Sequence, residues 1–161
     1  MTVINSTKTP EDLQLAITAE FDAGVDRVWQ VWEDPRQLER WWGPPTWPAT
    51  IEDYNFQPGG KAAYYMTGPD GTKARGWWQF TAISAPTGLE LNDGFADDNG
   101  DPVAEIGVAK MSVSLEDLGG RTLMTVTTAF ADEEQMAKML GMGMEEGMRE
   151  AMGQIDSILA G

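Results

Sequence analysis

The sequence predicts a single α+β domain in which an antiparallel sheet of about seven strands lies against a long C-terminal helix, with two short helices after the first strand. Three observations carry this. Leu13, Leu15, Ile17, Ala19 and Phe21 recur at every second position, the period of a strand with one buried face. Between Thr46 and Ala131 turn signals return at short, regular spacing, which favours hairpins over the long crossovers that parallel strands need. From Met136 to Leu159 one apolar stripe repeats at three and four residues.

Each element follows from local chemistry. After the first strand, Asp22 to Gly24 break the alternation, and Val25, Val28, Trp29 and Trp32 mark a short amphipathic helix. Asp34 before Pro35 reads as the start of a second helix, the carboxylate capping and the proline sitting where no N–H is needed. That helix is expected to run to about Trp42, where Gly43, Pro44 and Pro45 stop it. Six strands fit between the breaks at Pro58-Gly59-Gly60, Gly68 to Gly71, Ala85 to Gly88, Asp97 to Pro102 and Leu118-Gly119-Gly120. Asp132, Glu133 and Glu134 suit a helix N-terminus, and the helix is expected to span 132–160. Its stripe is Met136, Leu140, Met144, Met148, Met152, Ile155 and Leu159, interrupted by Gly141, Gly143, Gly147 and Gly153. Residues 1–11 read as a polar tail, so the whole chain, 1–161, is taken as one domain.

Composition removes many chemistries. With no cysteine and no histidine, thiolate nucleophiles, disulfides, Cys/His metal centres and Ser-His-Asp triads are excluded. The acidic run Asp97 to Asp101 lacks the spacing and terminal Glu of a calcium loop and reads as a solvated turn. A balance of 11 basic against 26 acidic residues, net −15, repels phosphate backbones and anionic lipid, so neither nucleic acid nor a membrane is an expected partner. The N-terminal stretch lacks the basic start and apolar run of a secretory signal, which makes a cytoplasmic location the expectation. No cofactor is expected.

Several phrases together are specific for a family: Val28-Trp29, Trp41-Trp42-Gly43-Pro44, Phe56-Gln57-Pro58-Gly59-Gly60, Met66 to Gly71, Leu89-Glu90 with Asp93-Gly94-Phe95, Thr122 to Thr125, and Gly143-Met144-Glu145-Glu146-Gly147. Over Gln14 to Leu159 the chain resembles the START-like (SRPBCC) superfamily, in the branch named for homologues of the activator of the heat shock protein 90 ATPase. The resemblance implies a helix-grip fold, with a curved sheet wrapped on the last helix around an apolar cavity. Members include lipid-transfer domains, polyketide cyclases and aromatases, hormone receptors and co-chaperone domains, so fold leaves function open.

With that fold, inward alternation nominates Tyr64 and Met66, Trp78 and Phe80, Met111 and Val113, and Met124 and Val126 as cavity lining, facing Met144 and Met148, with Trp41 and Trp42 closing one end. Thioethers repack around varied apolar shapes and indoles stack on flat ones. The expected partner is therefore a hydrophobic small molecule, apolar or aromatic. Two alternatives stand beside it. One is a co-chaperone-like interaction module or homodimer, using outward residues such as Trp47 and Trp77. The other is a cyclase- or aromatase-like enzyme, with acid–base candidates among the carboxylates, tyrosines, Lys61, Lys73, Lys110 and Arg75. No catalytic constellation is evident, and Arg75 and Asp93 are expected to form a surface pair.

Overall fold

In the computed structural model, residues 4–160 are described. The sheet has eight strands, all antiparallel: β1 (Ile4–Thr9), β2 (Gln14–Phe21), β3 (Ala49–Tyr54), β4 (Lys61–Thr67), β5 (Lys73–Ser84), β6 (Gly88–Ala96), β7 (Val108–Asp117) and β8 (Thr122–Ala129). Their spatial order is β1-β2-β8-β7-β6-β5-β4-β3. The chain therefore leaves β2 near one edge and must reach β3 at the other. Helices α1 (Val25–Glu33) and α2 (Pro35–Leu38) make that crossing, burying Val28, Trp29, Val31, Trp32 and Leu38. Asp34 caps α2 as expected, its Oδ1 accepting from the Arg36 N–H at 2.9 Å, though helical geometry ends at Leu38 and turns lead on to Trp42.

The six central strands fall where the turn signals placed them, and alternation sorts their side chains correctly. Cross-strand pairs Trp78/Asp93, Phe80/Leu91, Leu91/Met111, Val113/Val126 and Leu115/Met124 share the concave face, because directly paired residues point the same way. Leu15, Ile17, Ala19 and Phe21 of β2 extend this face and are fully buried.

Two expectations need correction. The stretch taken as a polar tail carries β1, an eighth strand, paired with β2 from Ile4/Ala19 to Thr9/Gln14; residues 1–3 of that tail lie outside the described residues. Its alternation is polar because only one edge and one face meet protein. Side-chain bonds hold it instead: Ser6 Oγ donates to Glu145 at 2.6 Å, Arg149 donates to Ser6 Oγ at 2.9 Å, and Lys8 pairs with Glu145 at 3.0 Å.

The last segment is also not one helix but three: α3 (Glu133–Gly141), α4 (Met144–Met152) and α5 (Ile155–Leu159). Gly143 causes the first break, since its φ of +85° is left-handed backbone that helices do not contain and that glycine adopts without steric cost. The apolar stripe continues across the break, which is why periodicity alone missed it. Asp132 caps α3 through Gln135 N at 2.7 Å, and Gln135 returns a bond to the Ala131 N–H at 2.7 Å. At the other end the Gln154 amide donates to the Gly43 carbonyl at 2.8 Å, and Arg27 donates to the Ile158 carbonyl at 2.8 Å, locking α5 onto the α1–α2 side. Among the described residues no helix is long and apolar enough to cross a membrane.

The convex face shows where Trp47 and Trp77 go. Both point outward, but each is half-buried rather than free, laid flat over a glycine: Trp47 over Gly68 and Trp77 over its cross-strand partner Gly94. A Cβ on Gly94 would stand 2.6 Å from the Trp77 ring. Gly94→Ala is therefore expected to destabilise the fold by about 1–3 kcal/mol in urea unfolding, and the loss should shrink markedly in a Trp77→Leu background. Equal losses in both backgrounds would show that the ring is not the obstacle.

Candidate functional site

The concave face is closed at one end by tryptophans. Trp32 of α1 packs edge-on to Trp41, ring centroids 4.8 Å apart, and Trp42 packs edge-on to Trp78 of β5, also at 4.8 Å. Tyr64 of β4 joins them, 6.0 Å from Trp42 and 5.9 Å from Trp78. Gly76 makes this possible, since it pairs with Tyr64 across β4 and β5 and any Cβ there would collide with the phenol.

Nine of the twelve lining candidates are buried in one continuous core: Trp41, Trp42, Tyr64, Trp78, Phe80, Met111, Val113, Met124 and Val126. The remaining three, Met66, Met144 and Met148, are half-buried and pack against it. Met66 lies beside Gly43, whose carbonyl receives Gln154, so it sits where the C-terminal segment docks. The helical segment is unevenly seated. Met136 and Met139 of α3 and Met152, Ile155 and Ile158 at the far end are buried, whereas Met144 and Met148 between them are not.

Two surface clefts open elsewhere. One, of about 220 Å³, lies between residues 104–108 and the start of α3, where Gln135 donates to the Ile106 carbonyl at 3.0 Å. The other, of about 420 Å³, lies among Gly24, Val25, Asp26, Pro86, Thr87, Asp117 and Gly120. Neither is lined by the twelve candidates.

Indole N–H groups distinguish the tryptophans of the core. Trp41 Nε1 donates to the Val31 carbonyl at 2.9 Å, Trp32 Nε1 meets the Met124 sulfur at 3.3 Å, and Trp29 Nε1 reaches Glu33 at 3.2 Å. Trp42 Nε1 and Trp78 Nε1 are buried and, among the described residues, make no hydrogen bond of good geometry. Both lie toward the Tyr64 hydroxyl, and that of Trp78 also lies toward the Asp93 carboxyl, near enough to favour the charged forms of these groups.

Asp93 is the residue that sequence reasoning misplaced. The expected surface pair with Arg75 does not form, because Arg75 points outward to Glu52 at 2.8 Å and over the Tyr65 ring. Asp93 instead pairs across strands with Trp78 and so faces inward. Asp93 is half-buried, its carboxyl turned toward the Trp78 side chain. Burial pushes the carboxyl up to about 7, with the Trp78 side chain and the Gly94 backbone N–H pulling it partly back. Burial, and then the charge of Asp93, raise the Tyr64 phenol beyond its ordinary range. The signal was present in β6, where Leu89, Leu91 and Asp93 share one phase of the alternation. Asp97 takes the expected solvated turn, its Oδ1 accepting from Asn99 and Asp101 N–H groups at 2.9 and 3.0 Å.

An apolar concave face covered by a glycine-broken helical segment defines a helix-grip domain, and comparison with known proteins agrees. Residues 22–160 match the family described as "Activator of Hsp90 ATPase homolog 1-like protein", and the chain belongs to it. It is similar to a protein from Arthrobacter aurescens solved by solution NMR, at 65% identity and a TM-score of 0.94 over 97% of this chain and 91% of that one. A crystal structure of a protein from Mycobacterium smegmatis is similar at 40% identity and a TM-score of 0.91, covering 98% and 97% of the two chains. A protein from Silicibacter pomeroyi shares the fold at 20% identity and a TM-score of 0.73, covering 91% and 97%. No functionally curated protein matches the chain.

Asp93 makes stability depend on pH. Its carboxyl holds a proton more tightly in the fold, near 7, than at its ordinary value of 3.8. The resulting stabilisation is complete below the lower value and is lost as pH rises through the upper one. Asp93→Asn stays neutral throughout, so it should gain stability relative to wild type by roughly 1–3 kcal/mol between pH 4 and pH 8. Urea midpoints at the two pH values measure this, and a difference that does not change with pH refutes it.

Proposed function

We propose that the chain is a binding module for a small apolar or aromatic molecule, taken up between the concave face of the sheet and the C-terminal helical segment. The observation that carries this is the uneven seating of that segment. Its two ends are locked by buried side chains and by Gln135, Gln154 and Arg27, while its middle, after the Gly143 break, presents the half-buried thioethers of Met144 and Met148. α4 itself is tied to β1 through Glu145 and Arg149, so the adaptable part of this cover is its half-buried methionine side chains rather than the helix backbone. Methionine side chains then repack around whatever occupies the space.

The rest of the wall suits such an occupant. It is aromatic and aliphatic, with a few convergent polar groups at Tyr64, Asp93, Trp42 and Trp78, the composition that small-molecule sites share. Membership of the family supports a ligand-binding or interaction domain in general terms. The absence of histidine and cysteine leaves the site few groups with which to turn binding into chemistry.

Two measurements test the reading. Titration with hydrophobic aromatic probes should quench or shift the emission of Trp42 and Trp78, and a protein whose fluorescence ignores every such probe does not have this function. Met148→Phe should change stability by less than about 0.5 kcal/mol and weaken probe binding, because the added ring occupies ligand space. A loss of about 1–3 kcal/mol with binding unchanged would show Met148 to be part of a filled core.

A further inference from the structure

The unpaired donors and the carboxylate beside them point to a more specific ligand. Among the described residues Trp42 Nε1 and Trp78 Nε1, like Trp77 Nε1 on the convex face, are buried without a hydrogen bond of good geometry. The first two sit on rings 4.8 Å apart that both flank Tyr64, and they alone face other polar groups of the interior. Natural cores rarely leave such donors unmatched. Trp78 stands opposite Asp93 in the β5–β6 ladder, so indole donors, a phenol and a carboxyl group gather on one small stretch of an otherwise apolar wall. Phe80, Leu91 and Met111 follow them along the same face.

We infer that Trp42, Trp78, Tyr64 and Asp93 form a polar subsite that takes the hydroxyl group of an otherwise apolar aromatic ligand, its oxygen accepting from the indole N–H groups and its proton donated to Asp93. This rests on the binding function proposed above. The donor–acceptor count selects the hydroxyl among simple polar groups. An ammonium group satisfies Asp93 but has no lone pair for the indoles. A carboxylate accepts from the indoles but sets its charge against Asp93 wherever that group is ionised. A hydrocarbon adds no partner for any of these groups. A hydroxyl both accepts and donates, and Tyr64, whose oxygen does both as well, adjusts to either orientation.

The experiment compares 2-naphthol with 2-methylnaphthalene, which have nearly the same shape and differ in the hydroxyl. Calorimetric titration of the full chain should show 2-naphthol binding about tenfold tighter or more. In 15N-labelled protein, 2-naphthol should move the Nε1–H signals of Trp42 and Trp78 downfield, as new hydrogen bonds do, and 2-methylnaphthalene should not. In Asp93→Leu, which removes the acceptor while keeping the site filled, the preference should fall to near parity. Asp93→Asn should retain part of it and serves if the leucine variant does not fold. Equal binding of the two probes to wild type overturns the subsite and leaves the apolar pocket standing. Binding of neither probe overturns both. A preference that persists at full strength in the Asp93 variants also overturns the subsite, because the hydroxyl is then held elsewhere.

Discussion

Everything in this structure depends on covering the concave face of the sheet. Strands β2 and β4 to β8 turn a continuous apolar surface to one side, and left wet it would forfeit most of the free energy that folding gains. Cover comes from two directions. The α1–α2 segment brings Trp32, Trp41 and Trp42 onto one end, where they interlock edge to face with one another and with Trp78. The C-terminal segment then lies across the rest. The two covers are joined to each other by Gln154 and Arg27, so neither can be displaced at that end without disturbing the other.

The interlock explains why polar groups persist in this interior. Tyr64 and Trp78 are held by their aromatic neighbours, with the indole N–H of Trp78 turned toward the Tyr64 hydroxyl and the Asp93 carboxyl rather than toward backbone. Asp93 occupies a position whose cross-strand neighbours are Trp78 and Ala109, and among the described residues no cation offsets its burial. An entirely hydrocarbon lining would be more favourable for the fold alone. These groups on an otherwise apolar face depart from the demands of stability at one small place, the kind of departure on which the proposed subsite is built.

Much of the fold was legible because alternation and turn chemistry leave strong traces. The phases of β2, β4, β5, β7 and β8 were read correctly, and nine of the lining candidates do meet in the core. β1 left no such trace, since Asn5, Ser6, Thr7 and Lys8 have no apolar face and are held by the Ser6, Glu145 and Arg149 bonds. The helix break was hidden because Gly143 changes the backbone direction without interrupting the methionine stripe. Asp93 was overlooked for a different reason. A carboxylate beside a Gly reads as a turn or surface residue, and only its phase with Leu89 and Leu91 indicates that it points inward.

The two outermost strands carry a consequence for how this protein meets others. β3 has Glu52 and Asp53 exposed and an irregular register between Ile51 and Asp53, and Arg75 leans over its Glu52. β1 is polar from Asn5 to Thr9 and strapped to α4 through Lys8, Ser6 and Arg149. A sheet whose open margins are charged, bulged or tied down is a poor template for another chain's backbone. With a net charge of −15 spread over the chain, copies of it also repel one another. Strand addition is thus disfavoured at both margins of the described sheet, which favours contacts made through side chains over contacts made through backbone.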